Sequence, residues 1–67
     1  MRMKEWFTIQ GSDGITYGAD VYGDSWRDLI RAAKAYSLQY EDVTFYIVAM
    51  GTGTRYAEIT NGDLTIL

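Results

Sequence analysis

Apolar residues fall on alternate positions in the first third of the chain, at Met3, Phe7, Ile9, Ile15, Tyr17, Ala19 and Val21. Such alternation is the pattern of a β-strand with one buried face. Turn-forming residues interrupt it at Gly11-Ser12-Asp13-Gly14. We therefore predict a β-hairpin whose odd-numbered side chains are buried.

The two strands of this hairpin are predicted to pair with Ile9 opposite Ile15. The buried face then pairs Phe7 with Tyr17 and Met3 with Val21, and the other face pairs Lys4 with Asp20, Thr8 with Thr16 and Trp6 with Gly18. Opposite charges and two threonines meet across the strands in this register, and both pairings favour it.

The apolar spacing changes to three and four residues between positions 25 and 40, which predicts one amphipathic helix. Its apolar stripe consists of Trp26, Leu29, Ile30, Ala33, Tyr36 and Tyr40. Ser25 or Asp24 is expected to cap the N-terminus, where Asp28 also suits the helix dipole. The stripe has to pack against the sheet to leave water.

Three more strands are predicted after the helix. Val43 to Met50 is apolar on both faces and is expected to be a central strand. A return through Gly51-Thr52-Gly53, with Gly53 left-handed, leads to Arg55, Ala57 and Ile59 and pairs Ile47 with Ala57 and Phe45 with Ile59. Asn61-Gly62 is the preferred sequence of a two-residue type I′ turn, which places Ile59 opposite Leu64 and Ala57 opposite Ile66.

The predicted order is therefore β-β-α-β-β-β, an α+β fold in which an antiparallel five-stranded sheet carries one helix on one face. The chain of 67 residues has room for one hydrophobic core, so residues 1–67 are expected to form a single domain. Apolar residues make up 48% of the chain and its net charge is −3, a composition that favours folding over disorder.

The chain contains neither cysteine nor histidine. It therefore lacks the commonest general base, the commonest metal ligand and every Ser/His or Cys/His catalytic pair. We expect no enzymatic activity, no metal and no cofactor. The N-terminal residues do not resemble a secretory signal, and no segment approaches the roughly 20 apolar residues that cross a bilayer. Cytoplasmic localisation without membrane contact is the expectation.

Three polar clusters offer only weak alternatives. Asp20 and Asp24 are a possible carboxylate pair, but carboxylates near a helix N-terminus usually cap it. The segment from Gly51 to Thr54 has the glycines of a phosphate cradle without its lysine or its following helix. Asp13 lacks the neighbouring carboxylates of a calcium loop and is more simply a turn residue.

An aromatic outer sheet face is the main functional prediction. Once the helix covers one face, the other is left with Trp6, Tyr22, Tyr46, Val48, Met50 and Tyr56, and with Leu67 at its margin. Antiparallel sheets normally turn a polar face to water, and an apolar patch of this kind marks interaction sites. Sheet twist that scatters these side chains, or loops that cover them, is the alternative.

Ligands that stack on aromatic rings are the other class to consider for this face. Single-stranded nucleic acid requires a basic groove, and this face offers Lys4, Arg2 and Arg55 against Asp20 and Glu58. The charge balance therefore argues against nucleic acid. A carbohydrate is compatible with the same rings, although no specific feature indicates one.

A second predicted surface lies on the helix, where Arg27, Arg31, Lys34 and Leu38 fall in one sector. Local pairs such as Asp24 with Arg27 and Asp28 with Arg31 would make this stripe an ordinary solvated face. The functional alternative is a contact surface for an acidic partner.

Two strands, one helix and three strands in fewer than seventy residues resemble the layout of several small phage-encoded anti-CRISPR and other anti-defence proteins. The resemblance is one of layout and rests on no sequence motif. It implies a non-enzymatic inhibitor that binds a host CRISPR-Cas or other defence complex in the host cytoplasm. The residues themselves indicate a protein-binding module whose partner is a second protein or, as a homodimer, a second copy of the chain.

Overall fold

The computed structural model describes the backbone of residues 6–22 and 26–67 and the side chains of residues 6–17 and 26–67. Its elements are β1 (Trp6–Gly11), β2 (Thr16–Tyr22), α1 (Trp26–Gln39), β3 (Phe45–Ala49), β4 (Arg55–Thr60) and β5 (Asp63–Ile66). This order confirms the predicted α+β fold. The predicted helix caps Asp24 and Ser25, and the predicted pairings of Met3 and Lys4, involve positions outside the described residues.

The five strands form one antiparallel sheet in the order β2-β1-β3-β4-β5. β3 occupies the centre, as predicted from a segment that is apolar on both faces. After β2 at one edge, the chain passes through α1 and returns to pair β3 with β1. This crossover leaves β2 and β5 as the two edge strands.

The hydrophobic core lies between the sheet and α1. Its buried side chains are Phe7, Ile9, Phe45, Ile47, Ala49, Ala57 and Ile59 from the sheet and Leu29 and Ala33 from the helix. The predicted apolar stripe therefore faces the sheet, as its spacing of three and four residues requires. We call the sheet face that packs against α1 the inner face and the opposite one the outer face.

The hairpin of β4 and β5 has the predicted register. Ile59 lies opposite Leu64 and Ala57 opposite Ile66. Asn61 and Gly62 both have positive φ, 50° and 83°, as a type I′ turn requires. Because this turn contains only two residues, its geometry determines the pairing of both strands.

The helix is joined to this turn by a residue that the predicted apolar stripe omitted. Ser37 is fully buried, and its Oγ donates to the carbonyl oxygen of Lys34 at 2.8 Å and accepts from the Gly62 backbone N–H at 2.8 Å. Because the hydroxyl makes both hydrogen bonds, its burial does not incur the desolvation cost of an unpaired polar group. The C-terminal part of α1 therefore lies over the β4–β5 turn.

The predicted register of the β1–β2 hairpin is wrong. Ile9 lies opposite Tyr17 rather than Ile15, and Phe7 lies opposite Val21, with an irregularity in β2 between these pairs. The turn is tighter than predicted, since the Gly11 N–H donates to the Ile15 carbonyl oxygen at 2.8 Å. As a result Ile15 is exposed. Tyr17 lies opposite Ile9 on the inner face, in the place predicted for Ile15.

A second irregularity lies between β3 and β4. Ile47 pairs with Ala57 as predicted, but Val48 pairs with Arg55, so that Tyr56 is an extra residue on β4. Such a bulge changes which face the residues before it occupy. The prediction that Tyr56 lies on the outer face is therefore wrong, whereas Arg55 lies on the outer face opposite Val48.

Candidate functional site

Trp6 and Met50 are two exposed apolar residues of the outer face. They lie beside one another, since the Met50 N–H donates to the Trp6 carbonyl oxygen at 2.9 Å where β1 begins and β3 ends. Their side chains are 43% and 51% exposed. Both residue types supply large contact areas in protein interfaces. We call Trp6, Tyr46, Val48 and Met50 together the outer patch.

Val48, at the centre of the outer patch, is only 7% exposed. It lies between Thr8 on β1 and Arg55 on β4. The Thr8 Oγ1 atom is buried and makes no hydrogen bond. The expectation of an exposed Val48 is therefore wrong, because the flanking strands already shield the middle of the central strand.

Tyr46 is partly buried on the outer face, and the guanidinium carbon of Arg55 lies 4.1 Å from its ring centroid. This is a cation–π contact, which the β3–β4 bulge permits by turning Arg55 outward. The covered ring is less available for stacking on a ligand. Of Tyr22, also predicted for this surface, the structure describes the backbone alone.

Tyr56 does not belong to the outer patch. Its ring centroid lies 5.5 Å from that of Phe7 and 6.3 Å from that of Trp26, both in edge-on geometry. Phe7 is a core residue and Trp26 begins α1, so the bulge has moved Tyr56 to the inner face. Of the four rings predicted for the outer face, the structure places Trp6 and the partly covered Tyr46 there, and the Tyr22 side chain lies outside the described residues.

The secondary surface on α1 is exposed as predicted. Arg27, Arg31, Lys34 and Leu38 all face solvent, and no ion pair forms between the basic and acidic side chains that the structure describes. Leu38 shows which way the stripe points, since its Cδ2 lies 3.2 Å from where a side chain at Gly62 would begin. The stripe therefore lies on the side of α1 that faces the β4–β5 turn.

β5 adds exposed aliphatic side chains beneath that stripe. Ile66 is 64% exposed although it lies on the inner face opposite Ala57, and Leu64 is partly buried against the core. β5 is an edge strand. We call Arg27, Arg31, Lys34, Leu38, Leu64 and Ile66 the helix–edge surface. Sequence reasoning identified the stripe and the strand separately, and it did not place them on the same side of the molecule because it did not determine the strand order.

One pair of polar side chains in the β1–β2 turn has shifted pKa values. The Tyr17 hydroxyl donates to Asp13 Oδ2 at 2.6 Å, and this bond is the main cause that raises the pKa of Tyr17 to about 12 and lowers the pKa of Asp13. The Ile15 N–H also donates to Asp13 Oδ1, at 3.0 Å. The raised pKa keeps the Tyr17 hydroxyl protonated, and the lowered pKa keeps the Asp13 carboxylate ionised. Both groups therefore hold their neutral-pH states more strongly in the folded protein, so the pair stabilises the turn.

Comparison with known proteins adds no assignment, since no family model, curated protein or solved structure matches this chain significantly. Within residues 6–22 and 26–67, no helix is long and apolar enough to cross a membrane.

Proposed function

We propose that this chain is a non-catalytic protein-binding module that contacts its partner through the outer patch. The observation that supports the proposal most directly is the adjacent pair of exposed residues Trp6 and Met50 on the sheet face that α1 leaves uncovered. Tryptophan and methionine are both enriched in protein interfaces, and tryptophan is among the residues that dominate their binding energy. The pair lies beside Val48, which the neighbouring strands already shield.

The support for a partner class is a resemblance of layout. In its most specific form the proposal is that the module inhibits a bacterial defence complex of the CRISPR-Cas type, and the resemblance to small anti-defence proteins is its support. A homodimer that packs two outer patches together uses the same residues. Stacking of nucleic-acid bases or of a sugar has less support than at first expected, because Tyr46 lies under Arg55 and Tyr56 lies on the inner face.

A capture experiment with matched variants tests the proposal. Immobilised wild-type protein, a Trp6→Ser/Met50→Ser double variant and an Ile15→Ser control are exposed to bacterial lysates that contain defence complexes, and bound proteins are quantified by mass spectrometry. Ile15 is a suitable control because it is 54% exposed and lies in the β1–β2 turn region, away from the outer patch. Circular dichroism first establishes that all three proteins are folded.

The expected result is a set of proteins that bind the wild type and the control and are lost from the double variant. If all three proteins capture the same set, the outer patch is not the binding surface. Sedimentation of the wild type over a range of concentrations separates the homodimer, because only self-association through the patch gives a dimer that the double variant abolishes.

A further inference from the structure

The helix–edge surface has a charge distribution that differs on its two sides. The exposed basic residues Arg27, Arg31 and Lys34 share one sector of α1 with Leu38, which lies against the β4–β5 turn on the inner side. On the outer side, the side chains that alternate with Leu64 and Ile66 along β5 are Asp63 and Thr65, and Glu58 pairs with Thr65. The β5 edge is therefore basic towards the helix and acidic away from it.

The backbone of β5 is available for pairing on its free side. The two-residue turn makes Thr60 and Asp63 a hydrogen-bonded pair, and bonding to β4 then alternates along the strand. The Leu67 N–H donates to the Tyr56 carbonyl oxygen at 3.1 Å, which agrees with this alternation. The N–H and C=O groups of Leu64 and Ile66 consequently point away from β4, as in an edge strand that can accept another strand.

From these two features we propose that the β5 edge binds an extended acidic segment of a partner protein by strand addition. The segment pairs with the free backbone groups of Leu64 and Ile66, and its carboxylates project on the helix side towards Arg27, Arg31 and Lys34. Main-chain bonds supply affinity in this mode and alternate side chains supply specificity. A second copy of this chain fits less well, because antiparallel pairing of two β5 strands brings two basic stripes together.

The proposal predicts a preference that simple charge attraction does not. A short peptide of alternating threonine and glutamate places its carboxylates on one side, whereas a peptide of glutamate alone also places carboxylates against Asp63 and Glu58. With fluorescein-labelled peptides of equal length, we expect the alternating peptide to bind more tightly than the all-glutamate peptide, and an alternating threonine–lysine peptide not to bind. Fluorescence anisotropy at low and high salt measures these affinities.

Variants of the protein separate the two contributions. An Arg31→Glu/Lys34→Glu variant is expected to lose about ten-fold in affinity for the alternating peptide, since each exposed charge pair is worth a few-fold. Ile66→Pro removes one outward N–H without breaking a β4 bond and is expected to reduce binding by a similar factor. Arg55→Glu, on the outer face, is the matched control and should change affinity by less than two-fold.

Three results would overturn the proposal. If the all-glutamate peptide binds more tightly, the surface attracts charge without strand addition. If Ile66→Pro remains folded by circular dichroism and binds normally, the β5 backbone is not the site. If an oligothymidylate binds more tightly than the alternating peptide and is lost in the charge-reversal variant, the stripe is an anion surface for nucleic acid. The outer patch is separate, so its experiment and this one can fail independently.

Discussion

The hairpins at the two edges of the sheet are held to the rest of the molecule by different interactions. The β4–β5 hairpin is joined to α1 by the buried hydrogen bond between Ser37 and Gly62. The β1–β2 hairpin is joined through Tyr17, whose ring packs edge-on against Phe45 at 4.8 Å and tilted against Tyr36 at 5.4 Å. The polar contact at one edge uses the fully buried hydroxyl of Ser37, whereas the other edge combines an exposed hydrogen bond between Ser12 and Thr44 with an aromatic cluster.

This difference explains how tightly sequence controls each register. A two-residue turn with two positive φ angles admits one pairing, so the strands of the β4–β5 hairpin have little freedom. The longer β1–β2 turn admits several pairings. A register in which Tyr17 packs against Phe45 buries more aromatic surface than a register in which Ile15 packs there. The irregularity in β2 is the consequence of that choice.

The largest expected effect comes from Phe45→Ala, because Phe45 is fully buried and lies opposite Ile59 while also packing against Tyr17. We expect the free energy of unfolding to fall by about 3–5 kcal/mol. Tyr46→Ala, its neighbour on the outer face, loses mainly the contact with Arg55 and should cost about 1 kcal/mol or less. Urea unfolding of both variants measures the contrast, and equal losses would contradict the assignment of the two faces.

Ser37→Ala tests the polar contact at the β4–β5 edge. The substitution leaves the part-buried Gly62 N–H without its acceptor, and we expect a cost of about 1–2 kcal/mol, within the range for an unpaired buried donor. The matched change at the other edge is Ser12→Ala, which removes an exposed hydrogen bond from the Thr44 N–H and should cost less than about 1 kcal/mol. Chemical denaturation that finds the two losses equal would show that burial does not distinguish these bonds.

Alanine substitutions at two left-handed glycines compare the same two hairpin turns. Gly62 and Gly14 have almost the same φ, 83° and 86°, but only Gly62 has Leu38 close to where a side chain would begin. Alanine at either position costs about 1–2 kcal/mol through the left-handed backbone, and we expect the additional contact to place Gly62→Ala at the upper end. Thermal unfolding of both variants checks the order, and a greater loss for Gly14→Ala would reverse it.

The smallest effect concerns the pH dependence of the β1–β2 turn. The native pKa of Tyr17 is raised from 10.0 to about 12, so its contribution to stability is present below pH 10 and is lost as the pH rises from 10 to 12. The native pKa of Asp13 is lowered, so its contribution is present at neutral pH and is lost as the pH falls through that native pKa.

Asp13→Asn is expected to reduce the loss of stability on both the alkaline and the acid side, because it removes the charge that links the two groups. Unfolding measured across pH, with Tyr17→Phe as the control that removes the tyrosine titration, tests this. An alkaline profile that Asp13→Asn leaves unchanged would mean that the Tyr17–Asp13 hydrogen bond is not its cause.

The candidate surfaces show why sequence reasoning succeeded in part. The helical stripe of Arg27, Arg31 and Lys34 is exposed as predicted, because helical spacing determines which residues share a side. Val48 and Tyr56 were assigned wrongly, because strict alternation has no place for a bulge or for shielding by neighbouring strands. That the stripe lies on the side of α1 that faces the β4–β5 turn depends on tertiary packing, which local periodicity does not determine.

The sequence by itself determined the elements and their order, the central position of β3, the inner side chains of Phe45, Ile47 and Ile59, and the β4–β5 register. These features follow from local periodicity and from a turn whose φ angles only Asn-Gly satisfies easily. The tertiary structure alone decided the β1–β2 register, the bulge that exchanges Arg55 and Tyr56 between faces, and the burial of Ser37. Each of these depends on contacts between residues far apart in the chain, where packing and hydrogen bonding outweigh local preference.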